Sequence, residues 1–253
     1  MIRSSFCFGV AVLCAALATP VLAGNIVDVV ETGGDNEATD TITAKWTGQT
    51  FPVSVVNEPI PGAVVGANYT VGVFGHQAPS FVDRNHRYVD DPANSLPLPS
   101  YLVGNEYILS GNDNRDNATY RLDVTVAAPS TVYMLIDNRL SDTVGTTPPT
   151  FDATHMQWIL DQGWSATANG LNRTQNAGVP DEIAFDEGAD DTVNQYYSVY
   201  EKDFPAGTFS LFQADNAGQN MYGVVVAPVP EPATWALGLV GVLGFALARR
   251  RTA

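Results

Sequence analysis

Residues 111–120, GNDNRDNATY, pack Asp113, Asn114, Asp116 and Asn117 into one short stretch ahead of an alternating apolar segment. Carboxylate, amide and backbone oxygens crowded into a turn are the donors that Ca²⁺ takes. Asn and Asp also fill ordinary turns, because they tolerate left-handed backbone and close Asx turns. The stretch therefore reads either as a calcium loop, with calcium the one candidate cofactor, or as a plain turn. A second acidic run, residues 181–191 (DEIAFDEGADD), has the flavour of a calcium loop but not the D-x-[DN]-x-[DN]-G spacing.

Aromatic side chains offer a second chemistry. Tyr88, Tyr101, Tyr107, Trp158, Trp164, Tyr196, Tyr197, Tyr200 and Tyr222 are many for a chain of this size. Exposed rings stack on sugars while neighbouring polar groups bond the hydroxyls. The same residues also fill sandwich cores. Because a strand alternates, one of the adjacent Tyr196 and Tyr197 must face outward.

Catalytic signatures are missing. There is no G-x-S-x-G, no H-E-x-x-H, no phosphate-binding loop and no G-x-G-x-x-G before a helix. His76, His86 and His155 are scattered with no i,i+4 partner, which argues against zinc and for isolated surface histidines. Carboxylates are plentiful, so a polysaccharide hydrolase or lyase stays open as an alternative. The expectation is a protein that is not an enzyme.

The elements that would position these groups are strands. Near residue 120, TYRLDVTVA places Tyr120, Leu122, Val124 and Val126 on one side and Thr119, Arg121, Asp123 and Thr125 on the other. Residues 131–137, TVYMLID, are nearly continuously apolar and read as a central strand covered on both faces. Further strands are expected at 25–30, 41–46, 51–56, 69–74, 107–110, 194–201, 208–213 and 221–227, punctuated by Gly, Pro, Asn and Asp. One short helix is expected at 152–162, capped by Asp152 and stopped by Gly163, with Met156, Ile159 and Leu160 as its apolar stripe. Residues 57–68 read as a turn-rich connection. Residues 90–100 carry Pro92, Pro97 and Pro99 and cannot form a central strand.

Both ends of the chain are apolar. Arg3, the apolar stretch 6–17 and the small residues before Ala23 and Gly24 follow the order of a secretory signal peptide, with cleavage between Ala23 and Gly24. Cys7 and Cys14 both lie in that signal, so the mature protein has no thiol for a disulfide or a zinc site. Residues 24–229 hold 8 basic against 26 acidic residues, a net charge of −18. Such a body repels nucleic acid and anionic lipid, so no nucleic-acid partner is expected. At the other end, residues 233–248 are apolar, contain Gly238, Gly241 and Gly244, and are followed by Arg249, Arg250 and Arg251. Sixteen residues fall short of the ~20 that span a bilayer comfortably, and the arginines stay cytoplasmic, leaving the body outside.

Val229, Pro230, Glu231 and Pro232, then the apolar segment, then Arg249 to Arg251, resemble the PEP-CTERM sorting signal of exopolysaccharide-producing Gram-negative bacteria. The resemblance implies export by the secretion machinery and transient anchoring in the inner membrane. It further implies recognition of Pro-Glu-Pro by an exosortase-type membrane protease, then release or attachment at the cell surface or in the extracellular matrix. The runs YRLDVTVAAPSTVYMLIDNR, MQWILDQGW and YYSVYEKDFPAGTFSLF resemble the galactose-binding-like sandwiches that accompany carbohydrate-active enzymes. That resemblance implies glycan or calcium binding rather than catalysis.

The expected architecture is all-β: an antiparallel, jelly-roll-like β-sandwich with one short helix, plus an N-terminal signal helix and a C-terminal transmembrane helix. Its divisions are a signal peptide at 1–23, N-terminal strands of the sandwich or a small sub-lobe at 24–100, the main sandwich at 101–228, and a sorting tail at 229–253. The expected role is a non-catalytic, exopolysaccharide-associated or glycan-binding surface protein. A purely structural biofilm or adhesin component is the alternative.

Overall fold

The computed structural model describes residues 25–34, 69–188, 190–216 and 218–229. The signal with Ala23 and Gly24, the strand candidates 41–46 and 51–56, the connection 57–68 and the tail from Pro230 onward lie outside the described residues.

Two antiparallel sheets carry the fold. The smaller is three-stranded, in the order β1 (Ile26–Thr32), β6 (Arg121–Val126), β11 (Gly207–Phe212). The larger sheet runs β2 (Tyr69–Val73), β5 (Glu106–Ser110), β12 (Gly223–Pro228), β7 (Ser130–Asp137), β10 (Gln195–Phe204), β9 (Glu182–Asp186), β4 (Arg87–Val89), β3 (Ala78–Pro79). A two-residue β8 (Ser165–Ala166) also pairs with β10. All named strand pairs are antiparallel.

The alternating pattern around residue 120 is met in space. Tyr120, Leu122, Val124 and Val126 are buried, while Arg121 is exposed. β7 is the central strand that its apolar run foretells, flanked by β12 and β10 and buried at every position but Thr131. β10 runs further than expected, to Phe204, because Phe204 stacks on Phe209 of β11 with ring centroids 4.3 Å apart. The even-numbered positions of β10 thus turn toward the small sheet and the odd-numbered ones turn away from it. On the away side Phe74, Tyr88, Tyr107, Phe185 and Tyr197 form a continuous aromatic core, with Phe185 and Tyr197 at 4.5 Å.

Two expectations need correction. The helix α1 is only Gln157–Asp161, and its N-cap is Met156 in a left-handed conformation. Asp152 is spent earlier: its carboxylate accepts from the Thr154 backbone N–H at 2.8 Å and contacts the His155 ring at 2.9 Å. Met156 and Ile159 are buried as expected, but Leu160 is 51% exposed, because one and a half turns bury only one flank. The second correction is the acidic run 181–191, whose first half is strand β9 in the middle of the large sheet, buried at all five positions.

Candidate functional site

The register of β10 brings an open groove together. On its away face Glu201 stands directly opposite Tyr133 of β7, and Asp203 opposite Thr131. Two residues after helix α1 comes Gly163, whose φ of +73° favours glycine, and the chain doubles back so that Ser165 of β8 pairs with Glu201 from the other side. Thr131, Tyr133, Gly163, Ser165, Glu201, Lys202 and Asp203 enclose about 370 Å³.

Each wall has a physical setting. The Tyr133 ring is 8% exposed and leans on Tyr101 with centroids 5.1 Å apart. Tyr101 is itself fixed: its hydroxyl donates to Asp181 at 2.9 Å and lies 3.1 Å from Thr167 Oγ1. Thr131 donates to Asp203 at 2.7 Å, which aims one carboxylate oxygen. Lys202 turns its ammonium to the Gln162 carbonyl at 2.6 Å and over the Phe204 ring at 5.0 Å. Burial, then the Asp203 and Asp181 charges, raise the Glu201 carboxyl above its ordinary value. Burial, then Glu201 and Asp203, raise the Tyr133 phenol likewise. A raised carboxyl beside an aimed carboxylate and a tyrosine is a surface rich in acceptors, suited to a ligand that donates hydroxyl hydrogens.

A second cavity, about 420 Å³, lies between Thr146, Thr147, Pro148, Val179 and Pro180. Its polar floor is already closed on itself. Arg173 grips Glu182 through two nitrogens at 2.7 and 2.9 Å and stacks over Tyr196 at 3.7 Å, and Glu182 also accepts from Asn138 at 2.9 Å. Tyr196 is the member of the adjacent pair that faces outward; Tyr197 is fully buried.

The loop around Asp113 is built as a 3-10 turn, Asn112–Asp116, whose oxygens face protein partners. Asp113 accepts from Arg84 and, at 3.0 Å, from Arg115. Asp116 lies 3.8 Å from the Arg115 guanidinium. Asn114 donates to Glu31, and its side-chain oxygen accepts from Asn117 at 3.4 Å. Beneath them Asp83 accepts from the Asn112 and Asp113 N–H groups at 2.7 and 3.3 Å, and its burial raises it. Among the described residues no group of three or more His, Cys, Asp or Glu is arranged to hold a metal ion. The Asp137-Asn138-Arg139 turn is a similar self-contained unit: Arg139 bonds Asp137 at 2.6 Å and Glu187 at 3.0 Å. His86 is half-buried, edge-on to Phe81 and Phe185, and its burial lowers it.

The groove residues Thr131, Tyr133, Ser165, Glu201 and Asp203 were not singled out by their sequence context. A signal was present: in YYSVYEKD the odd positions read Tyr197, Val199, Glu201, Asp203, so one strand face passes from apolar to acidic.

The last described residue, Val229, continues straight from β12 and donates its N–H to the Pro129 carbonyl at 2.9 Å. Residues 228–251 match the PEP-CTERM protein-sorting motif. The PEP-CTERM motif marks export, processing by exosortase (a membrane protein) and an extracellular destination for the body. Among the described residues no helix is long and apolar enough to cross a membrane. No curated protein matches the sequence. Among solved structures, a glycoside hydrolase of family GH138 that targets pectin rhamnogalacturonan II is similar at 13% identity and a TM-score of 0.39. That match covers 72% of this chain and 16% of that chain, so the present chain spans under a fifth of the enzyme's length.

Proposed function

We propose that this exosortase-sorted extracellular protein is a non-catalytic glycan-binding module, a sandwich of the galactose-binding-like kind, that associates with neutral exopolysaccharide through the groove between β7 and β8. The observation that carries the reading is the groove of about 370 Å³ in which exposed Asp203 and half-buried Glu201 share a face with the largely buried Tyr133. Such a volume accepts one or two sugar rings. Two carboxylates and two hydroxyls accept from and donate to sugar hydroxyls, and the same negative charge turns away uronic acids and sulfated glycans.

The arrangement favours binding over cleavage. Glycoside hydrolysis sets two carboxyl groups on opposite sides of the scissile bond. Glu201 and Asp203 are two residues apart on one strand, so they project side by side. A glycan array and a reducing-end assay on the secreted protein test this reading. Retention of neutral glycans without release of new reducing ends is the expected result; retention equal to that of an acidic control protein, or released reducing ends, refutes it.

A further inference from the structure

The two ends of the sandwich differ in charge. At one end lie Asp83, Arg84, Asp113, Arg115, Arg139 and Glu187, bound into ion pairs. The opposite end is made by three chain segments that the register places together. Residues 127–129 (Ala-Ala-Pro) join β6 to β7, residues 205 and 206 (Pro-Ala) join β10 to β11, and residues 227–229 (Ala-Pro-Val) close β12. Ser130 is opposite both Phe204 and Pro228, and Val126 is opposite both Gly207 and Ile26. None of these segments carries a charge, in a body whose net charge is −18. Of the ionisable side chains bordering them, Glu106 is turned to the Ile26 N–H at 2.7 Å, and Asp203, itself exposed, accepts from Thr131 at 2.7 Å on the groove side. Ala127, Pro129, Pro205 and Ala206 are exposed or half-buried, and Val229 is 40% exposed.

Asn25 and Val229, the first and last described residues, both lie at this end. Asn25 is tied there through its carbonyl to the Ala127 N–H at 2.8 Å and through its side chain to Ala128 and Ser130 at 3.0 and 2.7 Å. Val229 is tied to Pro129, and only residues 230–232 separate it from the apolar segment that starts at Ala233. Three residues reach at most ~11 Å, against about 5–8 Å of headgroup layer on each side of a bilayer.

We propose that this charge-free end of the sandwich is a membrane-facing surface, seated against the lipid headgroups while the precursor is held by its sorting tail. The proposal rests on the reading that the tail enters the bilayer. The occupant is lipid rather than protein because the chain length fixes the distance whatever else is present. The three uncharged segments of this end also meet anionic headgroups with less repulsion than the rest of so acidic a body. The charged end then points away from the cell.

The mature chain has no cysteine, since Cys7 and Cys14 precede the expected cleavage point, so single thiols can be placed freely. The protein with its signal removed and its sorting tail retained, purified from cells lacking the processing protease, is reconstituted into phosphatidylcholine–phosphatidylglycerol vesicles with nitroxide headgroups. A fluorophore is carried on Ala127→Cys, Ala206→Cys or, at the far end, Val144→Cys. Quenching of at least about twofold at Ala127→Cys and Ala206→Cys, with none at Val144→Cys, is the expected result. Equal quenching at all three sites, or none at Ala206→Cys in precursor that floats with the vesicles, overturns the proposal and leaves the sorting reading intact. Precursor that does not float with the vesicles overturns both. Lack of quenching in vesicles, combined with protection of Ala206→Cys from an impermeant maleimide only in cells that retain the protease, assigns the face to the protease and overturns the lipid proposal.

Discussion

Glu201 is a carboxyl that the fold holds against its own interest. Its value is raised by burial and by Asp203 and Asp181 from an ordinary 4.5. A carboxyl raised on folding adds stability below that ordinary value, and the gain disappears as pH rises through the folded one. At neutral pH its charge therefore works against the fold. Glu201→Gln is expected to raise the urea midpoint at pH 7 and to flatten the loss of stability as pH climbs above about 4.5, while weakening glycan binding about tenfold or more. Stability kept low by one residue, and recovered only with loss of binding, is the signature of a functional side chain. Asp181, behind Tyr101, is held by hydrogen bonds. It is fully buried and accepts from the Asn169 and Leu171 N–H groups, the Asn169 amide and the Tyr101 hydroxyl, all at 2.8–2.9 Å. Asp181→Ala strands these buried donors and is expected to cost about 3 kcal/mol or more in urea unfolding. It also frees Tyr101 to move from Tyr133. Arg84 and Arg115 pair with Asp113, and on that ground we propose that residues 111–120 work as a plain turn, so that adding calcium or a chelator is expected to leave the melting temperature unchanged.

At the scale of elements, β12 shows how the large sheet is held together. β12 lies between β5 and β7 and begins at Gly223, where an added Cβ would meet the Tyr88 hydroxyl at 2.2 Å and Leu135 Cδ1 at 3.1 Å. Gly223→Ala must push Tyr88 within the aromatic core and is expected to cost about 1–3 kcal/mol by thermal or urea unfolding. The central strands were legible because their signal is local: the alternation at 120–126 and the apolar run at 131–137 are each sufficient to define a face. β9 was not, because Glu182 and Asp186 give an acidic reading that their buried partners, Arg173 and Asn138 for Glu182, override. The short β3, β4 and β8 carry two or three residues each, too few to show a period. The groove stayed hidden for a related reason. Its residues come from β7, β8 and β10, and only the antiparallel register puts Tyr133, Ser165 and Glu201 side by side.

The described body is polar along its strand axis, with ion pairs at one end and, at the other, uncharged turns together with Asn25 and Val229. The fold closes at Pro228, opposite Ser130, so the sorting motif begins where the sheet stops. Ending the chain after Val229 is expected to leave the melting temperature unchanged, whereas ending it before Met221 removes a strand from the middle of the large sheet and abolishes folding. Circular dichroism of the two shortened chains separates these outcomes. In the proposed reading the same polarity links delivery to function: the tail brings the body to the outer face of the membrane, and the groove would meet neutral polymer outside the cell.

Calorimetric titration of the mature secreted protein with neutral oligosaccharides cut from the producer's own exopolysaccharide, alongside the Glu201→Gln, Asp203→Asn double variant, tests that claim most directly. Saturable binding by the native protein, lost or weakened at least about tenfold in the folded double variant, is the predicted result. Binding of equal strength by both proteins, or no saturable heat from the native one, would contradict it.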